Sequence, residues 1–152
     1  MRTATAADAA AIARLVNRAF LVEAPLVSGD RTSPAAIAAM LEHGDFLLKE
    51  EGGELIACVY VEIRPETGYF GMLSVDPRQQ GKGLGREMTY AAEDYFRQAG
   101  RRVVEIAVVN RREELPPFYR RLGYVEAGTK AFPDPHRAKV DDLHMTIMKK
   151  TL

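Results

Sequence analysis

Tryptophan is absent from this 152-residue sequence, cysteine occurs once and histidine three times, and 21 lysines and arginines against 21 acidic residues leave no net formal charge. Each shortage excludes something. The lone Cys58 forms no intramolecular disulfide, and it sits in an apolar run from Leu55 to Val61 that reads as a buried strand, so inert packing is expected of it. That run is far shorter than the roughly 18 apolar residues a membrane-spanning helix needs, so no membrane partner is expected. His43, His136 and His144 are dispersed, with no second histidine or cysteine at ligand spacing, and no metal site is expected. Zero net charge and the lack of a basic-aromatic stripe argue against nucleic acid as a partner. Asp8 and Arg14 interrupt the alanine-rich start, so it reads as an amphipathic helix rather than a leader, and a reducing cytoplasm is the expected location. With no repeat, linker or low-complexity tail, the length predicts one domain over residues 1–152.

What is present is periodic. After a short strand from Met1 to Thr5, Asp8 reads as an N-cap before Ile12, Leu15, Val16, Ala19 and Phe20 at helical spacing. Ser33-Pro34 reads as a cap and first residue of a second helix running to about Glu42. Phe46 to Glu50 and Glu54 to Arg64, joined at Gly52-Gly53, read as a hairpin, and Tyr69 to Val75 as a further buried strand. Leu84, Met88, Ala91, Ala92, Tyr95 and Phe96 predict the longest helix, ended by Gly100. Val103 to Val109 reads as a strand, Phe118, Tyr119 and Leu122 as one face of a short helix ended by Gly123, and Tyr124 to Phe132 and Leu143 to Lys149 as closing strands. The fold class is mixed α/β with a central sheet.

The chemistry concentrates in Leu73-Ser74-Val75-Asp76-Pro77-Arg78-Gln79-Gln80-Gly81-Lys82-Gly83-Leu84-Gly85-Arg86. Three glycines in five residues lead a strand into a helix, where backbone N–H groups can converge on an anion and the helix dipole favours negative charge. Arg78, Lys82 and Arg86 add three cations around that turn, which points to a phosphate-bearing ligand. The competing reading is a plain flexible turn with solvated cations. The spacing matches neither the dinucleotide Gly-x-Gly-x-x-Gly pattern nor a nucleotide P-loop.

The segment does resemble the signature of the GNAT superfamily of N-acetyltransferases, Gln/Arg-x-x-Gly-x-Gly/Ala, through Arg78, Gly81 and Gly83. The strand ending at Asn110 and the stretch Phe118-Tyr119-Arg120-Arg121-Leu122-Gly123-Tyr124, similar to that family's Leu-Tyr-x-x-Leu-Gly-Phe, follow in the same order. The resemblance implies a central, mostly antiparallel sheet of about six or seven strands flanked by about four helices. It also implies acetyl-CoA as cosubstrate, with Leu73, Ser74, Val75, Arg78, Gln79, Gln80, Gly81, Lys82, Gly83, Leu84, Gly85 and Arg86 as its binding segment. Backbone groups of Leu73 and Val75 would hold the pantetheine arm, and Gln80 to Arg86 would enclose the pyrophosphate. Asn110 would contact the cofactor and Tyr119 would lie near its sulfur.

An amine of pKa about 10.4 is only about one part in 10³ neutral at pH 7, so a base or a water path is needed, and the departing thiolate needs a proton. Tyr119 can give that proton, although periodicity alone places it in the core. Glu105, the one charge in its strand, is a candidate base; Glu62, Glu66 and ordered water compete, and an ion pair is the plainer role for Glu105. The resemblance implies transfer to a primary amine of a small molecule or peptide, with a non-catalytic acyl-CoA-binding sensor as the alternative. Leu21 to Thr32 and Pro133 to Val140 would build the acceptor pocket. The exposed terminal strands suit pairing with a second copy.

Overall fold

Apolar positions of period two and period 3.6 resolve into seven strands and four helices in the computed structural model, which describes residues 1–152. In chain order these are β1 (Arg2–Thr3), α1 (Ala9–Ala19), α2 (Pro34–Met40), β2 (Asp45–Glu51), β3 (Glu54–Ile63), β4 (Gly68–Val75), α3 (Leu84–Gln98), β5 (Val103–Val109), α4 (Leu115–Arg121), β6 (Val125–Ala131) and β7 (His144–Thr151). The strands form one sheet in the order β1-β2-β3-β4-β5-β7-β6. Every neighbouring pair is antiparallel except β4 and β5, which the α3 crossover joins in parallel.

Alternation along the strands feeds two cores. Ala57, Val59 and Val61 of β3, with Phe70, Val104, Ile106 and Val108, pack against Met88, Ala92 and Phe96 of α3. Cys58 and Tyr60 point the other way, joining Phe46 and Leu48 against Ile12, Leu15 and Val16 of α1 and Ile37 of α2. Burial pushes the Cys58 thiol up to about 12, so it stays protonated and inert, as its apolar run predicts. Gly68 opens β4 directly under α3: a Cβ there would stand 2.3 Å from the Phe96 ring.

Helix ends follow local chemistry. Ser33 Oγ accepts the Ala36 N–H at 3.1 Å, and Pro34 follows it, as expected. The helix stops at Met40 rather than near Glu42, as Gly44 N–H returns to the Met40 carbonyl. Before α1 the helical path begins earlier than Asp8, with a 3-10 turn over Ala6–Asp8. Thr5 is the cap of that turn; its N–H donates to Asp8 Oδ2 at 2.8 Å, and Asp8 also pairs with Arg2 at 2.8 Å. Gly100 and Gly123, both with positive φ, close α3 and α4, with Arg101 N–H reaching the Phe96 carbonyl and Tyr124 N–H the Tyr119 carbonyl.

Candidate active site

The parallel pair β4–β5 is held only at its start, Gly68 opposite Val104 and Tyr69 opposite Glu105. Beyond that point the strands diverge. From Phe70 onward the β4 edge facing β5 has no ladder partner, so some of its backbone groups are open to a ligand. A bulge contributes: the β3–β4 register slips between Cys58 and Tyr60, leaving Met72 in the left-handed region at φ 52°. Ser74 Oγ donates to the Met72 carbonyl at 3.0 Å. Such an extra residue increases local twist, and the strain of a non-glycine at positive φ marks a constrained place.

The split opens a cleft of about 810 Å³, within the range of small-molecule sites. At one end is the glycine turn. Gly81 (φ 83°) and Gly83 (φ 78°) are both left-handed, Gly83 is the N-cap of α3, and a Cβ on Gly81 would meet nothing within 4 Å. Leu73, Val75, Gln79, Gln80, Gly81, Gly83, Leu84 and Gly85 line this end. The open edge, the left-handed glycines and the N-terminus of a 15-residue helix fit a long anionic ligand with an amide-bearing tail.

Ser74, Arg78, Lys82 and Arg86 do not line it. Ser74, within β4, is buried. Arg78 folds back to Asp76 at 2.9 Å and lies 3.6 Å from Glu54, while Lys82 Nζ donates to Gln79 Oε1 at 2.8 Å. The Asp76 carboxylate, almost wholly buried, accepts the Arg78 guanidinium and N–H, with Arg18 3.5 Å away, and these hold its pKa down at about 2. The sequence marks Asp76-Pro77 only as a strand stop; the fold uses Asp76 to fix the turn's entry.

Tyr119, on α4, also lines the cleft. Its ring belongs to the core, with centroids 6.1 Å from Phe70 and 5.7 Å from Tyr124. Its hydroxyl takes no protein hydrogen bond, and burial raises its pKa, so the phenol stays protonated. The packing and site readings of this residue are therefore compatible. Glu105 stands outside the cleft at the closed end of β5, 3.6 Å from Arg64 and 3.7 Å from Lys149, the ion-pair role. Glu62 is likewise engaged, by Tyr60 at 2.7 Å and Arg64 at 2.8 Å. Asn110 also falls outside the cleft lining: its amide donates to the Asp142 carbonyl at 3.2 Å and accepts the His144 N–H at 2.9 Å, pinning the turn before β7.

The far end of the cleft is roofed by two segments distant in sequence. Val27 bridges Ala138, Ser28 N–H donates to the Arg137 carbonyl at 2.8 Å, and Lys139 N–H donates to the Leu26 carbonyl at 2.8 Å. Arg137 Nε adds a bond to the Ser28 carbonyl at 2.8 Å. Asn17 of α1 grips the Thr32 backbone from both sides, at 2.9 and 3.0 Å. Beneath the roof lies Glu23, its side chain about 10% exposed, with Oε2 accepting from Arg112 Nη1 at 2.8 Å. Arg111-Arg112 reads in the sequence as a charge pair at a strand end, solvated or guiding an anion, and its pairing with Glu23 leaves no local mark because the partners are 89 positions apart.

A model described as the Acetyltransferase (GNAT) family matches residues 10–124. Among curated relatives, a mycothiol acetyltransferase from Amycolatopsis mediterranei is 31% identical over 100 residues, covering 60% of this chain and 33% of that enzyme. The chain thus spans about a third of the length of that relative. Among solved structures, the ribosomal-protein-S18-alanine N-acetyltransferase from Escherichia coli superposes with a TM-score of 0.79 at 18% identity, over 99% of this chain and 91% of that one. Salmonella typhimurium yncA, solved with its cofactor acetyl-CoA, superposes with a TM-score of 0.76 at 24% identity, over 99% and 92%. No helix is long and apolar enough to cross a membrane.

Proposed function

Because the chain belongs to the GNAT acetyltransferase family, we propose that it moves the acetyl group of acetyl-CoA to a primary amine of a small molecule or peptide, by direct attack in a ternary complex. The observation that carries this reading is one continuous cleft, from a left-handed glycine turn along an unpaired strand edge to the free hydroxyl of Tyr119. Acetyl-CoA supplies a thioester carbonyl open to attack and a thiolate leaving group. Gly81, Gly83 and the first turn of α3 receive the diphosphate, and the open edge of β4 around Leu73 and Val75 receives the pantetheine amides.

An N–H on that edge steadies the oxyanion as the amine adds, and a donor of this kind is commonly worth about 3–4 kcal/mol. The incoming amine loses its proton to water in the cleft, and Tyr119, protonated at neutral pH, gives its proton to the departing sulfur and regains one from that water. The ion pairs at Glu105 leave it tied away from the cleft, so it does not enter this scheme. With Cys58 buried, no covalent acyl-enzyme is involved. Nothing in the site favours a purely sensory role.

Calorimetry with acetyl-CoA, followed by thiol release and mass detection of acetylated product across a panel of primary amines, tests the reading. Binding with amine-dependent thiol release is the expected result. Absence of binding at millimolar acetyl-CoA overturns it, and binding with silence across the panel removes the catalytic half.

A further inference from the structure

Resting on the reading of Tyr119 as the acid, we propose that the Tyr124 hydroxyl, tethered to a buried Glu93–Lys150 pair, aims the Tyr119 phenol at the departing sulfur. Tyr124 and Glu93 are then positioning residues for the transfer step. The Tyr119 hydroxyl has no protein partner to direct it. The one buried side-chain polar atom left unpaired is Thr32 Oγ1, so the Tyr119 oxygen, itself unbonded, opens to the cleft. Its heading is set by whatever holds its ring.

Three rings hold it, and one of them is anchored. Phe118, Phe70 and Tyr124 stand with centroids 5.0, 6.1 and 5.7 Å from the Tyr119 ring. The two phenylalanines have only packing to fix them. Tyr124, 1% exposed, is held at both ends: its N–H donates to the Tyr119 carbonyl at 3.0 Å, and its hydroxyl donates to Glu93 Oε2 at 2.7 Å. Its ring also meets Phe70 edge-on at 6.1 Å, so Phe70, Tyr119 and Tyr124 close a triangle.

Glu93 gives that tether a fixed end. It lies on α3, 1% exposed, and both its oxygens accept from Lys150 Nζ of β7 at 3.1 Å, with Arg97 a further contact at 3.9 Å. The same ammonium stands 5.7 Å from the Tyr124 ring centroid. A buried ion pair is by itself a poor source of stability, because apolar side chains of the same shape commonly do as well. What the carboxylate adds is a directional acceptor. Burial and Glu93 raise the pKa of the Tyr124 phenol, which therefore stays a donor to it. A ring at this position without that bond keeps its packing and loses its heading, and a misplacement on the order of 1 Å can cost about 100-fold in rate.

The test compares wild type, Tyr124→Phe, Tyr119→Phe and the double variant. The single-turnover rate of acetyl transfer is measured with the primary amine of the panel above that releases thiol fastest, and acetyl-CoA affinity by calorimetry. Tyr124→Phe is expected to slow transfer about tenfold and to leave acetyl-CoA affinity within about twofold. In the Tyr119→Phe background it should cost less than about twofold more, because no hydroxyl remains to be aimed. No slowing, equal slowing in both backgrounds, or a parallel loss of acetyl-CoA affinity overturns the proposal; the last two are what a merely structural tyrosine gives. Should Tyr124→Phe fail to fold, Glu93→Gln, which keeps an acceptor, and Glu93→Leu, which does not, take its place. Slowing confined to Glu93→Leu supports the proposal, and equal rates in the two overturn it. An unchanged rate in Tyr119→Phe removes the acid role and this proposal with it, while leaving acetyl transfer standing. Failure to bind acetyl-CoA, or silence across the amine panel, is a different result that removes the acetyl-transfer reading itself.

Discussion

The turn end of the cleft is assembled from one run of chain, residues 69–85, and largely from backbone, whereas the roofed end joins Leu21–Asp30 to Phe132–Lys139 and works through side chains. The contrast follows from what each end must hold. A diphosphate and a chain of amides are recognised by N–H groups and by room for close approach, which a short glycine-rich segment supplies by itself. Discrimination among acceptors requires placed charges and apolar walls, and loops brought together by a scaffold supply those. Variants that strike one end should therefore leave the other nearly intact, and the junction at Tyr119 should behave like neither.

The largest effect is expected at that junction. Tyr119→Phe keeps the ring against Phe70 and Tyr124 and removes only the hydroxyl, so kcat should fall by about 100-fold or more while the dissociation constant of acetyl-CoA stays within about twofold. Steady-state kinetics beside calorimetry checks this; equal loss of both would assign the residue to packing. Next comes the backbone end. Gly83→Val forces a β-branched residue to φ 78°, which should weaken acetyl-CoA by about 10- to 30-fold with little change in acceptor KM, read by the same two measurements.

That difference in construction also explains what could be read from the residues alone. Strand and helix periods, the Ser33 cap, the glycine stops at Gly100 and Gly123, and the turn from Gln80 to Gly85 are local, so a window of a few residues carries them. Glu105 draws notice as the one charge in an apolar strand, whereas its neighbours Arg64 and Lys149 come from other strands and segments. The Asn110 side chain bonds to a turn thirty-odd residues later. Conversely Glu23 lies in the Leu21–Thr32 stretch expected to wall the acceptor pocket, but its pairing with Arg112, in the turn after β5, has no local mark. Long-range pairing of side chains leaves no periodic trace.

Asp76 sets a smaller effect, within the turn end alone. Its folded pKa of about 2 lies below the ordinary 3.8, so its contribution to stability is complete above about pH 4 and is lost as pH falls toward 2. Asp76→Asn should remove that part of the acid dependence and cost about 1–3 kcal/mol at pH 7. Urea unfolding at several pH values between 2.5 and 7 checks it; Asp8, also depressed to about 2, titrates in both proteins and cancels in the difference.

The smallest effect is expected at the roof, because its two halves are joined twice over. Arg137→Ala deletes the bonds from its guanidinium to the Ser28 and Asp30 carbonyls and the contact with Asp134 at 3.6 Å. It leaves the main-chain bonds Ser28 to Arg137 and Lys139 to Leu26, each 2.8 Å, and the Val27–Ala138 bridge. A partly exposed charged hydrogen bond is worth on the order of 1 kcal/mol net, so acceptor KM should rise only about three- to fivefold, with acetyl-CoA affinity unchanged. Hydrogen exchange at the Ser28 and Lys139 amides separates the outcomes. Faster exchange with a modest KM change means the side chain tightens a roof that the backbone already closes. A collapse of protection across residues 26–30 would mean instead that this one guanidinium carries the acceptor end, which would make it as locally encoded as the glycine turn opposite.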